Sequence, residues 1–150
     1  MAILINQSGI PNVGLTRNRM QHKRAVAPLV AEVWLPRPHH DAFDTPINLN
    51  GDRLNNTVPN LAWRPRWFAV RFFRQFHLPD HAVNRPIEDM KTGEMFEDSW
   101  EAVKKYGLLN HDIIIAMLNN TYVWPTYQRF RLLGSQILER PENADYNRRE

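Results

Sequence analysis

Nine of the eleven prolines lie between Pro11 and Pro86, and none falls between Ile87 and Trp124. Proline lacks a backbone donor and clashes with the preceding helical turn, so this distribution bars long helices from the first half and admits them in the second. The charge divides along the same line. Residues 1–80 carry ten Lys+Arg and five Asp+Glu, and residues 81–150 carry nine and eleven, so +5 and −2 make up the formal +3. The first half is basic and proline-punctuated, and the second is the helical half.

Residues 1–62 read as an extended arm with little regular structure. Prolines at 28, 36, 38, 46 and 59 leave windows too short for a stable helix. The longer gap, Asn12 to Ala27, contains Gly14 and Asn18 and shows no apolar stripe. Leu29–Leu35, fenced by Pro28 and Pro36, suits a short strand or two helical turns, and periodicity does not decide between them. Asn48-Leu49-Asn50-Gly51-Asp52 reads as a turn, because Asn, Gly and Asp tolerate positive φ. A structureless stretch of this length is uncommon in a compact domain, so the arm is expected to lie on another protein.

Residues 63–78 form the densest segment, a basic aromatic amphipathic helix opened by Pro65 and closed by Pro79. At 100° per residue Phe68, Phe72 and Phe76 share one side with Ala69 and Phe73 beside them, while Arg64, Arg71, Arg74 and Trp67 gather opposite. Such a helix suits a docked core helix, a membrane-surface helix on anionic lipid, or a nucleic-acid contact. With only +3 on the whole chain and an acidic second half, lipid is favoured over nucleic acid.

Residues 87–140 read as a small helical unit, followed by a polar tail over 141–150. Acidic residues from Glu88 to Glu101 precede Lys104 and Lys105, the order that suits a helix dipole. Phe96, Trp100 and Val103 mark its buried face, and Gly107 is placed to close it with Leu108 packing back. Asn110 is the expected N-cap of a second helix ending at Leu118. Pro125 opens a third, with Tyr127, Phe130, Leu133 and Ile137 at helical spacing. The predicted fold class is therefore mainly α, with a long extended N-terminal arm.

Catalytic and metal chemistry find little support. The absence of cysteine excludes a disulfide framework, Cys-ligated zinc, iron–sulfur clusters and a cysteine nucleophile. His39-His40-Asp41 are adjacent, and adjacent residues rarely converge on one ion. His77 and His81 are four apart, but Pro79 spoils helical geometry between them. Ser8, Ser99 and Ser135 lie in no nucleophile elbow, and six scattered glycines build no phosphate loop. Glu88, Asp89, Glu97 and Asp98 read as a solvated helix start rather than an acid–base pair. No catalytic residue, metal or cofactor is expected.

The longest apolar run, Ile113–Leu118, is far short of the roughly 20 residues that span a bilayer, and no secretory signal is visible. Met1 to Ala31 holds no acid but carries Arg17, Arg19, Lys23 and Arg24, which suits organellar import.

Trp100, Lys104-Lys105-Tyr106-Gly107-Leu108 and Asp112, then Leu138-Glu139-Arg140-Pro141-Glu142, Tyr146 and Arg148, resemble segments of the ubiquinol–cytochrome c reductase binding protein family. That resemblance covers about a third of the chain and implies a helical, non-catalytic, matrix-side subunit of a respiratory complex.

Together these readings predict a non-enzymatic accessory subunit of a large assembly, set peripherally on the mitochondrial inner membrane. Its partners would be other protein subunits and anionic lipid, with nucleic acid the lesser candidate. The partner- or lipid-contacting residues would be Trp34, Trp63, Arg64, Trp67, Arg71, Phe72, Arg74, Trp100 and Trp124, since buried aromatics and arginines dominate interfaces. The alternatives are a ribonucleoprotein or mitoribosomal accessory protein contacting RNA through its arginines, and a phage virion structural protein.

Overall fold

A computed structural model describes residues 2–78 and 83–133. The chain divides into two compact units, with the boundary at Leu78–Pro79. Among the described residues there are four α-helices and three small antiparallel sheets, so the fold is mixed α/β and not mainly α.

The first unit folds the expected arm upon itself. Strands β1 (Ile3–Ile5), β2 (Pro11–Arg17) and β3 (Met20–Ala25) form a sheet in that order, with Ile3 opposite Val13 and Val13 opposite Arg24. Asn18 and Arg19, at φ 50° and 63°, make the two-residue turn between β2 and β3. Two positive φ values match the twist of a tight hairpin. Asn6 ties the preceding loop, its Oδ1 accepting from Ser8 N and Ile10 N, each at 2.9 Å. Helix α1 (Val26–Trp34) takes Pro28 in its first turn, where the missing donor costs nothing.

Strands β4 (Thr45–Asn48) and β5 (Leu61–Arg64) pair antiparallel, Thr45 opposite Arg64, and helix α2 (Arg66–Gln75) follows Pro65 directly. The loop between them is built on asparagines. Asn48 Nδ2 donates to Asn55 O (2.7 Å) and Asn56 Oδ1 (2.8 Å), and Asn60 Nδ2 donates to Asn55 O (2.8 Å) and Asn50 Oδ1 (3.0 Å). Gly51 sits at φ +80° against Phe76. Ile47, Phe68 and Phe72, all fully buried, form the core with Ala31, Leu61 and Ala69. The prolines thus limit helix length without forbidding short antiparallel strands, whose backbone groups find partners across a hairpin rather than along the chain.

In the second unit, β6 (Ile87–Asp89) is central. It pairs with β7 (Met95–Phe96) on one side and with β8 (Phe130–Leu132) on the other. Helices α3 (Ser99–Tyr106) and α4 (Asn110–Asn119) lie between β7 and β8 in sequence. The helix expected near residue 88 begins only at Ser99, because Ile87–Phe96 is spent on the β6–β7 hairpin. Among the described residues, 125–133 do not form the third expected helix. Val123–Gln128 is a turn, closed by Val123 N donating to Gln128 O at 2.8 Å, with a cis Trp124–Pro125 bond and Tyr127 at φ 58°. Phe130 enters β8, where Asp89 lies opposite it. Ile137 and the polar tail lie outside the described residues. Among the described residues, no helix is long and apolar enough to cross a membrane.

Candidate nucleic-acid interface

The sequence around Gly107 dictates a helix, a sharp turn and a second helix. Asp98 caps α3, its Oδ1 accepting from Glu101 N at 3.0 Å, while Glu101 Oε1 accepts from Glu97 N at 3.1 Å. This reciprocal arrangement satisfies donors that a helix start leaves open. At the other end Gly107 adopts φ 68°, ψ 56° and donates to Val103 O at 2.8 Å, with Leu108 N reaching the same carbonyl at 3.3 Å. Only glycine takes that conformation without a Cβ penalty, so the chain reverses within Gly107-Leu108-Leu109 and re-enters helix at Asn110. Leu109, not Asn110, occupies the N-cap position. Ala102 and Val103 on α3 and Ile113 and Ala116 on α4 are buried together with Leu108 and Leu109, which fixes the pair of helices as one body.

The arrangement is held from behind by a buried carboxylate. Asp89, with no exposed surface, accepts from Tyr106 Oη at 2.8 Å, Thr92 Oγ1 at 3.1 Å and Lys91 N at 2.9 Å. Burial, then the hydrogen bond to Asp89, pushes the Tyr106 phenol up to about 12. The last side chain of α3 is thereby pinned to the sheet one residue before the turn.

What α4 turns outward is unusual. His111, Ile115, Leu118 and Asn119 are exposed, Leu118 at 76%, and Asp112 and Ile114 are half-exposed. Six consecutive apolar residues exceed what one buried helix face requires. That excess was the signal available in the sequence, where the run was weighed only as a membrane span. Lys104 and Lys105 stand exposed at the end of α3, just before the turn.

Several acidic residues of this unit are engaged within it. Glu88 pairs with Arg131 at 2.6 Å, Glu94 with Lys105 at 2.5 Å, Asp98 caps α3, and Asp89 is enclosed. In the first unit, ten Lys+Arg meet four Asp+Glu over residues 1–78. Arg24 pairs with Glu32 at 3.5 Å. This basic unit offers a polyanion a surface of its own, so the whole-chain +3 does not favour lipid over nucleic acid.

The predicted contact residues separate into groups. Trp67, Arg71 and Arg74 lie on the outer face of α2, Arg71 5.6 Å from the Trp67 ring centroid, and Trp34 is exposed at the end of α1. Phe72 is fully enclosed in the core, and Arg64 is 7% exposed, its guanidinium 5.5 Å from the Phe68 ring and pushed down to about 10 by burial. Neither can touch a partner. Trp63, Trp100 and Trp124 are half-buried, Trp63 in β5 with its Nε1 buried and without a hydrogen-bond partner among the described residues. Arg66, exposed at the start of α2, belongs with Arg71 and Arg74 and was missed. A cavity of about 280 Å³ in the same unit is lined by Asn48, Arg53, Arg66, Val70 and Phe73 among others. Among the described residues no three His, Asp or Glu side chains converge as metal ligands. His39 and His40 are exposed, and His81 lies outside the described residues.

No protein-family model matches the chain, and no curated protein matches it. A solved structure described as "DNA binding and cleavage by the HNH homing endonuclease I-HmuI" is similar, with a TM-score of 0.43 and 17% identity over 87% of this chain and 80% of that one. Nothing in these comparisons supports the ubiquinol–cytochrome c reductase binding protein family or the respiratory chain, and the similar structure is that of a DNA-cleaving enzyme. The expectations of a non-catalytic accessory subunit, of no enzymatic activity and of nucleic acid as the lesser partner are withdrawn because their physical premise, an arm without structure of its own, is removed by the folded first unit.

Proposed function

We propose that this chain binds duplex DNA, with α4 entering the major groove as the reading helix. The observation that carries this is the α3–Gly107-Leu108-Leu109–α4 arrangement, two packed helices joined by a three-residue turn with an αL glycine, whose second helix exposes His111, Ile115, Leu118 and Asn119 on its outer face. A major groove about 12 Å wide admits an α-helix, whereas the deep, narrow groove of A-form RNA does not, so duplex DNA is the fitting partner.

In this geometry the residues at the start of the second helix reach base edges while the first helix crosses the phosphate backbone. Here those are His111, Asp112 and Ile115, with Lys104 at the backbone. An aspartate accepts from the cytosine amino group, and an aliphatic side chain meets the thymine methyl.

The test is selection of bound sequences from a randomised duplex library by the full chain. A defined preference that shifts on Ile115→Ala or His111→Ala supports the reading. Binding without any preference, or a preference indifferent to both substitutions, overturns it.

A further inference from the structure

We infer that the outer face of α2 is a second, sequence-independent DNA contact that grips the phosphate backbone. This rests on the reading of α4 as a DNA-binding helix and adds to it a separate site in the other unit. Phe68, Ala69 and Phe72 bury one side of α2 completely or nearly so. The opposite side carries Arg66, Trp67, Val70, Arg71 and Arg74, all exposed, in one stripe at i, i+1, i+4, i+5 and i+8. Among the described residues none of the three arginines makes an ion pair, and α2 carries no acidic residue.

The occupant follows from charge and shape. Three guanidiniums spread over nine residues of helix span about 12 Å at 1.5 Å per residue. Phosphates recur along one DNA strand at roughly half that distance, so the row matches two or three successive backbone groups. Guanidinium presents a planar fork that fits phosphate oxygens. Arg71 beside the Trp67 ring is partly oriented before binding. Contacts to phosphate carry no sequence information, so the grip adds affinity and salt dependence rather than specificity. Because both units sit on one chain, engagement of one raises the effective concentration of the other.

The experiment measures binding of the full chain to a 30-base-pair duplex by fluorescence anisotropy between 50 and 200 mM KCl. Each phosphate contact contributes roughly 0.9 to the slope of log K against log salt. The triple variant Arg66→Gln/Arg71→Gln/Arg74→Gln is expected to lose two to three units of slope, so the affinity lost to added salt shrinks by on the order of 10- to 40-fold. The base preference selected through α4 is expected to remain unchanged. The comparison variant, Arg17→Gln/Arg19→Gln/Lys23→Gln, removes the same charge from the β2–β3 hairpin.

An unchanged slope in the α2 variant, with α4-dependent preference intact, overturns the backbone grip alone. An equal loss in both variants overturns it in favour of overall charge. Absence of duplex binding by the native chain overturns this inference together with the reading of α4. Retained duplex binding alongside lost capture by phosphatidylserine vesicles assigns the stripe to a membrane and overturns it as well. Thermal unfolding at the native temperature in both variants separates each of these from misfolding, since the substituted side chains are exposed.

Discussion

Tyr106 donates its phenolic hydrogen to Asp89 across 2.8 Å, joining the last residue of α3 to the end of β6, 17 positions earlier in the chain. Asp89 is fully buried, so its remaining acceptor capacity is met by Thr92 and the Lys91 amide. The position of the turn that follows, and with it the placement of α4, depends on this contact.

Tyr106→Phe leaves a buried carboxylate short of one donor, and the loss should amount to about 1–3 kcal/mol. Urea denaturation at pH 7 measures it. The pH dependence has a definite sign. The phenol is raised in the folded state from its ordinary 10.0 to about 12, so the protonated form is favoured by folding. This contribution is complete below pH 10 and is lost as pH rises towards 12. The thermal midpoint of the native chain should therefore fall across that window, and a Tyr106→Phe chain falling equally steeply would count against the assignment.

Gly107→Ala places a Cβ at φ 68° and should destabilise the second unit by about 1–2 kcal/mol. Gly107→Asn should recover part of that loss, since asparagine visits the left-handed region more readily. Equal unfolding midpoints for the two variants would contradict a conformational origin.

Two isoleucines on α4 should separate stability from reading. Ile113 has no exposed surface, and truncation to alanine should remove about 2–5 kcal/mol. Ile115 is 40% exposed, and its truncation should change unfolding by less than about 1 kcal/mol while altering the selected DNA sequence. Denaturation and sequence selection on the same pair of variants decide the matter.

Gly51 offers a test of the first unit as a folded body. It sits at φ +80°, and a Cβ there would meet the Phe76 ring at 2.8 Å. Gly51→Ala should cost about 2 kcal/mol or more from backbone strain and crowding together. Hydrogen exchange should report the loss in β4, β5 and α2. An unaffected exchange pattern would mean that residues 49–60 do not pack as described.

Much of the local structure was legible. The Phe side of α2, the opposite placement of Trp67, Arg71 and Arg74, the glycine closing α3 and the turn at Asn48–Asp52 follow from side-chain spacing within one or two turns of chain, whereas Arg64, placed with that Arg side, lies buried in β5. The candidate interface was legible only in fragments. The six-residue apolar run was visible, but which of its members turn outward depends on how α4 lies against α3 and β8. The +6 of residues 1–78 was countable, yet that this stretch folds as a unit of its own was not.

Sequence alone determined where helices cannot run and where α3 must end, because proline and glycine act on the backbone at their own positions. The tertiary structure decided the strands. β1, β6, β7 and β8 are two or three residues long and too short to show a period, and β6 meets β8 across 43 positions, Glu88 to Arg131. Such strands exist only because a distant partner supplies their hydrogen bonds. That is why a chain whose prolines read as an extended arm folds instead into short antiparallel sheets.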